Sequence, residues 1–156
     1  MEVYLVRHGQ AKAETMDPAQ PLSERGREEV ERVARHAAAR GLRVVEIRHS
    51  RKLRARETAE ILAAHLAPAR GVREVDGLAP ADDPAAARQS LEEAHEPLML
   101  VGHLPHLSRL ASSLLLGDAG KEIVHFGNAS LACLARTDGG WRLEWILTPD
   151  LAAPHG

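Results

Sequence analysis

Short apolar runs alternate along this chain with longer segments of helical spacing, and this alternation restricts the fold more than any other feature. The strands predicted from the apolar runs are residues 3–6, 44–47, 72–75 and 98–101. The helices predicted between and after them run from Ser23 to Gly41, from Ser50 to Pro68, from Pro84 to Glu93 and from Pro105 to Gly117. Strands that alternate with helices in this way predict a mainly parallel sheet with helices on both faces.

The end of the chain follows a different pattern. Residues 130–135 and 141–147 are two apolar runs around the turn sequence Asp138-Gly139-Gly140, which is typical of an antiparallel hairpin. No linker, repeat or low-complexity stretch divides the chain. We therefore predict one α/β domain over residues 1–156, a three-layer α/β/α arrangement with a mainly parallel sheet and a C-terminal antiparallel hairpin.

The composition excludes several classes of function. Aromatic residues make up 3% of the chain, so it offers few stacking platforms for nucleic acid. The formal net charge of -2 predicts no broad basic surface that would attract nucleic acid or an anionic membrane. We therefore expect neither a nucleic-acid partner nor a membrane partner, and any site for an anion must be local.

The expected compartment is the cytoplasm. Cys133 is the single cysteine, so an internal disulfide is excluded, and this is typical of a reducing compartment. We expect Cys133 to be a small buried residue of a strand. The apolar run at the start is interrupted by Glu2 and stopped by Arg7, so it does not resemble a secretory signal. No stretch approaches the ~18 apolar residues of a membrane span.

Polar residues that can take part in catalysis or ligand binding follow three of the predicted strands. These strand ends carry Arg7-His8-Gly9, His49-Ser50 and Gly102-His103. Because the carboxyl ends of parallel strands lie at one edge of a sheet, these side chains are predicted to meet in one cleft. Arginines suit phosphate oxygens, and a histidine can attack phosphorus when its second ring nitrogen is held by an acceptor. Gly9 is expected to let the backbone approach an anion closely, and the helix start at Ser50 is expected to add amide donors for its oxygens, so both are predicted substrate-binding residues.

The same residues resemble the signature of a known family. Arg7-His8-Gly9 after the first strand is similar to the hallmark of the histidine phosphatase superfamily, the phosphoglycerate mutase-like enzymes. Further segments that resemble family motifs occur in the family's order: Leu22-Ser23-Glu24-Arg25-Gly26, the stretch from Ser50 to Ala59, and Gly102-His103. The short chain and Gly102-His103-Leu104-Pro105 are most similar to the SixA-type phosphohistidine phosphatases. The resemblance implies a phosphoglycerate mutase-like fold without a large cap insertion.

The resemblance also implies roles for individual residues. His8 matches the nucleophile that becomes phosphorylated, and Arg7 and Arg54 match the arginines that hold the phosphoryl group. His103 matches the second histidine, which stabilises that group in the transition state. No cofactor and no metal are expected. We expect an open site whose substrate is phosphohistidine on a protein, for example a histidine phosphotransfer domain.

Two departures from the family pattern leave questions open. Arg51 replaces the usual proline, which makes the start of the second helix uncertain. A glutamate general acid of larger members has no clear match, and the candidates in order are Asp76, Asp82 and Asp83. A missing acid favours phosphohistidine, because imidazole leaves a phosphoramidate with less help than an alkoxide leaves an ester.

Alternative interpretations remain for several residues. Arg54 could instead pair with Glu57 or Glu60 on the helix face. Asn128 and Ser130 precede a strand and are candidates to line the pocket. His106 follows His103 closely enough to suggest a metal site, but no other ligand spacing supports one, so its role is open, as is that of Arg51. The alternative functions are a phosphatase of small phosphorylated metabolites and a binding module for phosphorylated ligands without turnover.

Overall fold

The computed structural model describes residues 1–152 and places ten elements in alternating order. The four helices are α1 (Glu24–Ala39), α2 (Leu53–Leu66), α3 (Ala85–Glu93) and α4 (His106–Leu116). The six strands are β1 (Glu2–Arg7), β2 (Glu46–His49), β3 (Val72–Glu74), β4 (Leu98–Gly102), β5 (Leu131–Thr137) and β6 (Gly140–Leu147). Residues 153–156, the last four of the predicted domain, lie outside the described range, and the single-domain interpretation stays a prediction.

The six strands form one mixed sheet in the order β3-β2-β4-β1-β5-β6. The neighbours β3 and β2, β2 and β4, and β4 and β1 are parallel. The hairpin of β5 and β6 adds antiparallel strands beside β1. This topology confirms the predicted fold class, and it places the carboxyl ends of β1, β2 and β4 at one edge.

Helices cover both faces of the sheet. Strand β1 sends alternate side chains to opposite faces, so it contributes to the core on each side. Tyr4 and Val6 belong to the core that α1 and α2 complete, whereas Val3 and Leu5 belong to the core completed by α3 and α4. Cys133 is fully buried on β5, as its small apolar character predicts. No helix within residues 1–152 is long and apolar enough to cross a membrane.

Helix α1 begins and ends where its capping residues predict. The Ser23 hydroxyl accepts a hydrogen bond from the Gly26 amide at 3.0 Å, which satisfies a donor in the first turn. The helix closes at Arg40, and Gly41 follows with a φ of 75°, a left-handed conformation that glycine adopts readily.

Two predicted boundaries are wrong. Strand β2 begins at Glu46, two residues later than predicted, because its partner β4 begins at Leu98, opposite Glu46, and Pro97 before it has no amide hydrogen for the ladder. The buried Glu46 carboxylate is neutralised by Arg48, Arg70 and Arg73. Ser50 does not cap α2: Lys52 occupies the N-cap position without a side-chain cap, and the Ser50 hydroxyl bonds elsewhere.

Candidate active site

The parallel pairing of β1 and β4 brings the two predicted catalytic histidines together. Arg7 lies opposite Gly102 in the ladder, and the His8 amide donates to the Gly102 carbonyl at 3.0 Å. His8 and His103 are therefore the next residues beyond two neighbouring strands. Their ring centroids are 4.8 Å apart, with 52° between the ring planes. Both side chains are buried, at 9% and 2% exposure.

The hydrogen bond of the His8 ring selects its reactive nitrogen. Nδ1 lies 2.7 Å from the Gly9 carbonyl oxygen, which only accepts, so Nδ1 carries the hydrogen. The second nitrogen, Nε2, then keeps its lone pair. A neutral imidazole with a free lone pair and a fixed tautomer is the arrangement a nucleophilic histidine needs.

Ser50 holds the ring of His103. Its hydroxyl lies 2.5 Å from His103 Nε2 and also accepts a hydrogen bond from the Lys52 amide at 3.3 Å. The Ser50 amide donates to the Val101 carbonyl of β4 at 3.3 Å, which fixes the residue at the end of the neighbouring strand. His103 Nδ1 is buried and has no hydrogen-bond partner within residues 1–152. The Ser50 hydroxyl thus fixes the orientation of the His103 ring through Nε2.

Two arginines supply positive charge at the same edge. Arg7 Nη1 donates to the Phe126 carbonyl at 3.0 Å, while its buried Nε has no partner among the described residues. Arg54 lies in the first turn of α2, and the Thr58 hydroxyl donates to its carbonyl at 2.8 Å. The charge of Arg54 acts on both His8 and His103. These cations are suited to neutralise the equatorial oxygens of a transferring phosphoryl group.

The alternative pairing of Arg54 is not found. Within residues 1–152, Glu57 pairs with Arg27 and accepts from the Leu22 amide, and Glu60 pairs with Arg56. Arg54 itself forms no ion pair with any described residue. Its guanidinium is therefore available to an anionic ligand.

Burial keeps both histidines neutral. It lowers the pKa of His8 to about 4, helped by the charges of Arg54 and Arg7 and opposed by the Gly9 carbonyl. Burial also lowers the pKa of His103 to about 3, helped by His8 and Arg54. Near neutral pH the nucleophilic lone pair of His8 is therefore present without prior loss of a proton.

Gly9 has a different role from the one predicted. A side chain here would meet Val30 Cγ2 at 2.7 Å and the Gly26 carbonyl oxygen at 3.0 Å, so the missing side chain makes room for α1 and not for an anion. The Gly9 amide donates to the Thr58 hydroxyl at 3.0 Å. Gly9 thus lets the segment after β1 pack against α1 and α2. The close approach to an anion that was predicted from its missing side chain is not supported.

Asn128 lies in a turn that closes against the backbone of His8. The Ala129 amide donates to the carbonyls of Arg7 and His8, at 3.1 Å and 3.2 Å. The Ser130 carbonyl accepts from the Arg7 amide at 3.1 Å, and the Ser130 side chain is buried. The turn carries Asn128 beside the cleft, and a contact between its side chain and substrate stays a prediction.

In the described structure, the carboxylates of the three candidate acids bond to groups other than the two histidines of the cleft. Asp76 pairs with Arg51 at 2.7 Å, with both side chains exposed. Asp82 accepts from the Ala79 amide and Asp83 from the Ala85 amide, both at 2.9 Å. Within residues 1–152, none of the three hydrogen bonds to His8 or His103.

Two residues near the cleft were not assigned a role from sequence. Thr58 joins Gly9 to the first turn of α2; its place four residues after Arg54 was the available signal. His106 is fully buried, with neither ring nitrogen bonded to a described residue. Burial lowers the pKa of His106. No group of three or more metal-ligating side chains occurs within residues 1–152.

Comparisons with known proteins point in one direction. The model of the histidine phosphatase superfamily (branch 1) matches residues 3–81. An uncharacterised protein of Picosynechococcus is 38% identical over 132 residues, which cover 79% of this chain and 78% of that protein.

Solved structures of similar proteins share the whole fold. The protein histidine phosphatase SixA, complexed with tungstate, has a TM-score of 0.85 at 22% identity, over 96% of this chain and 98% of that chain. A SixA of Agrobacterium tumefaciens, described as a putative phosphohistidine phosphatase, gives 0.78 at 24% identity, over 95% and 97%. A mycobacterial glucosyl-3-phosphoglycerate phosphatase gives 0.73 at 21% identity, over 92% and 97%. These likenesses confirm the phosphoglycerate mutase-like fold.

Proposed function

This chain belongs to the histidine phosphatase superfamily, and from that premise we propose that it removes phosphoryl groups through a phosphohistidine formed on His8, with phosphohistidine of a protein as the favoured substrate. The observation that carries the proposal is the state of the His8 ring: Nδ1 is bound to the Gly9 carbonyl, which leaves the lone pair on Nε2, and the ring centroid lies 4.8 Å from that of a second buried histidine.

The first step is attack by His8 Nε2 on phosphorus. A nitrogen–phosphorus bond forms as the bond between phosphorus and the leaving nitrogen breaks, and the electron pair of that bond remains on the leaving imidazole, which then takes up a proton. Arg7 and Arg54 offset the negative charge of the equatorial oxygens, and His103, oriented by Ser50, stabilises the same group.

The second step is hydrolysis of the phosphoenzyme. Water attacks phosphorus from the side that the leaving group has vacated, the electron pair of the nitrogen–phosphorus bond returns to His8 Nε2, and inorganic phosphate leaves. The low pKa of His8 favours this step too, because a weakly basic imidazole is a good leaving group.

The favoured substrate follows from the groups that surround the cleft. Asp82 and Asp83 bind backbone amides of their own segment, and Asp76 pairs with Arg51 on the surface, so the geometry favours a substrate whose leaving group needs little acid help. Imidazole departing from a phosphoramidate meets that condition better than an alkoxide. A phosphohistidine on a protein partner, such as a histidine phosphotransfer domain, fits a chain without a large cap.

A phosphatase of small phosphorylated metabolites is the second candidate. One structural neighbour is a glucosyl-3-phosphoglycerate phosphatase, so the same fold serves small substrates as well. The third interpretation, a binding module without turnover, does not explain the free lone pair of His8. The proposed compartment is the cytoplasm, where the single cysteine stays reduced.

A substrate panel in EDTA tests these alternatives. We expect a phosphohistidine protein to be hydrolysed faster than alkyl phosphate esters at equal saturation, with a chromogenic aryl phosphate also turned over because phenolates leave readily. EDTA should change none of these rates, since the proposed chemistry uses only side chains.

Two variants give the panel its controls. His8→Ala should abolish turnover, and His65→Ala, which removes a histidine paired with Glu31 away from the cleft, should not. Faster hydrolysis of alkyl esters than of phosphohistidine would favour the small-metabolite candidate. If the folded wild type showed no turnover above that of folded His8→Ala protein, the binding module would be favoured.

A further inference from the structure

A second cavity, of about 890 Å³, lies at the opposite end of β1 from the catalytic cleft. Its walls come from the amino end of β1, the C-terminal end of α1 with the loop that follows it, and β6. Tyr4 lines this cavity, whereas His8 and His103 do not. The two sites are thus separate, and the catalytic mechanism makes no use of this one.

The floor of this cavity is aromatic. Tyr4 and Trp145 lie with their ring centroids 6.2 Å apart and their planes inclined by 43°. The chain has two tryptophans, one tyrosine and one phenylalanine, so half of its aromatic side chains meet here. Trp145 is 39% exposed and the lining residue Leu151 is 64% exposed. Large apolar side chains left open beside a concave surface are typical of a ligand site.

Basic residues line one side of the cavity. His36, Arg40 and Arg43 all contribute to its wall. Within residues 1–152, neither Arg40 nor Arg43 forms an ion pair. The four arginines of α1 itself, by contrast, are paired with carboxylates: Arg25, Arg27, Arg32 and Arg35. The two unpaired guanidiniums are therefore the natural partners of a ligand anion.

The helix dipole and the nearby Glu2 do not fully explain why Arg40 and Arg43 are found here without carboxylate partners. Arg40 is the C-cap of α1, where a cation is favourable beside the helix dipole, but that effect fades within the last turn and does not extend to Arg43 beyond Gly41. Glu2 is the acidic residue of the wall, and its carboxylate accepts a hydrogen bond from the Tyr4 hydroxyl at 2.9 Å. The carboxylate is thus engaged by Tyr4 and not by the arginines.

We propose that this cavity binds a small amphipathic anion. An apolar body, preferably an aromatic ring, packs against Trp145 and Leu151, the exposed apolar side chains of the lining, and a carboxylate, sulfonate or phosphate group contacts Arg40 and Arg43. The Tyr4 ring is buried and packs beside Trp145. The volume lies in the range of pockets that enclose small molecules, and a few polar groups around an apolar floor are what such pockets use to orient a ligand. This site is independent of the proposed phosphatase activity.

The probe 8-anilinonaphthalene-1-sulfonate tests the proposal, because it combines aromatic rings with one anionic group. We expect saturable binding of one probe per chain with quenching of Trp145 fluorescence, measured in Trp141→Phe protein so that one tryptophan reports. Arg40→Gln and Arg43→Gln should each weaken binding about two- to fivefold, the range of a partly exposed ion pair. Arg35→Gln, an exposed α1 position outside the cavity, should leave it unchanged.

Two further measurements separate this site from others. Arg54→Gln, which removes a cation of the catalytic cleft and not of this cavity, should leave the affinity for the probe unchanged, and the uncharged analogue N-phenyl-1-naphthylamine should bind without sensitivity to Arg40→Gln or Arg43→Gln. Weaker binding of the probe by Arg54→Gln protein would place the probe in the catalytic cleft and overturn the proposal. Equal affinity of Arg40→Gln, Arg43→Gln and Arg35→Gln proteins for the sulfonate, or several weak sites per chain, would overturn it as well.

Discussion

At the scale of single residues, one hydrogen bond decides which nitrogen of His8 can act. The bond from Nδ1 to the Gly9 carbonyl leaves Nε2 with a free lone pair, and the bond between Ser50 and His103 orients the second ring. The sequence was sufficient to select His8 and His103, because each follows an apolar strand. The position of Ser50 before a helix predicted an N-cap and a contact with substrate. Its bond to His103 could not be predicted, because the two residues are 53 positions apart in the sequence.

Ser50→Ala tests that positioning role. Loss of the hydroxyl frees the His103 ring to reorient, so we expect kcat for an aryl phosphate to fall about two- to tenfold, the equivalent of one hydrogen bond, with little change in KM. Ser108→Ala is the matched control, because Ser108 is a buried serine that bonds the Val124 carbonyl outside the cleft. A loss of kcat as large in Ser108→Ala as in Ser50→Ala would show that Ser50 acts only through general stability.

At the scale of elements, two glycines allow α1 to pack against the segment that follows β1. A side chain at Gly26 would place its Cβ 2.0 Å from the Gln10 carbonyl oxygen, and Gly9 faces the same helix. The sequence predicted a helix opening around Gly26 from a resemblance, whereas the close approach is a tertiary contact that no local pattern reveals. The displaced start of β2 has a similar cause, since β2 begins opposite Leu98, the first residue of the partner strand β4.

Gly26→Ala should therefore destabilise the fold. Backbone atoms cannot yield as a flexible side chain would, so we expect a loss of about 1–3 kcal/mol in the free energy of unfolding, the usual cost of overpacking. Urea unfolding measures it. Gly139→Ala is the control, because nothing lies within 4 Å of its added Cβ. If both variants unfold at the same urea concentration, the close packing of α1 does not stabilise the protein.

At the scale of the whole molecule, a formal charge of -2 conceals a local concentration of positive groups. The sheet topology collects Arg7 and Arg54 beside two neutral histidines at one edge, while carboxylates elsewhere balance the total. The alternation of strands and helices was enough to predict this convergence, because parallel strands share a carboxyl edge. The neutral state of the histidines could not be predicted, since it depends on burial created by the complete fold.

That burial predicts a stability that depends on pH. The folded pKa of His8 and of His103, about 4 and about 3, lies below the ordinary value of 6.5, so the unfolded chain binds more protons in acid. The corresponding stability is present above pH 6.5 and is lost as the pH falls toward these folded values. Between pH 7 and pH 5 we expect each histidine to contribute a loss on the order of 1–2 kcal/mol.

Urea unfolding of His103→Gln at both pH values measures one contribution. The variant lacks one depressed pKa, so the difference in its unfolding free energy between pH 7 and pH 5 should be smaller than that of the wild type by about 1–2 kcal/mol. An identical pH dependence in the two proteins would show that His103 is not buried in its neutral form.

Trapping of the phosphoenzyme is the most direct test of the central claim that His8 accepts the phosphoryl group. Rapid mixing with an aryl phosphate, followed by an alkaline quench that preserves phosphohistidine, should yield a phosphorylated chain whose modified peptide contains His8. His8→Ala should show neither the modification nor turnover, while His65→Ala should show both. Continued turnover by His8→Ala, or a trapped phosphoryl group on any other residue, would contradict the assignment.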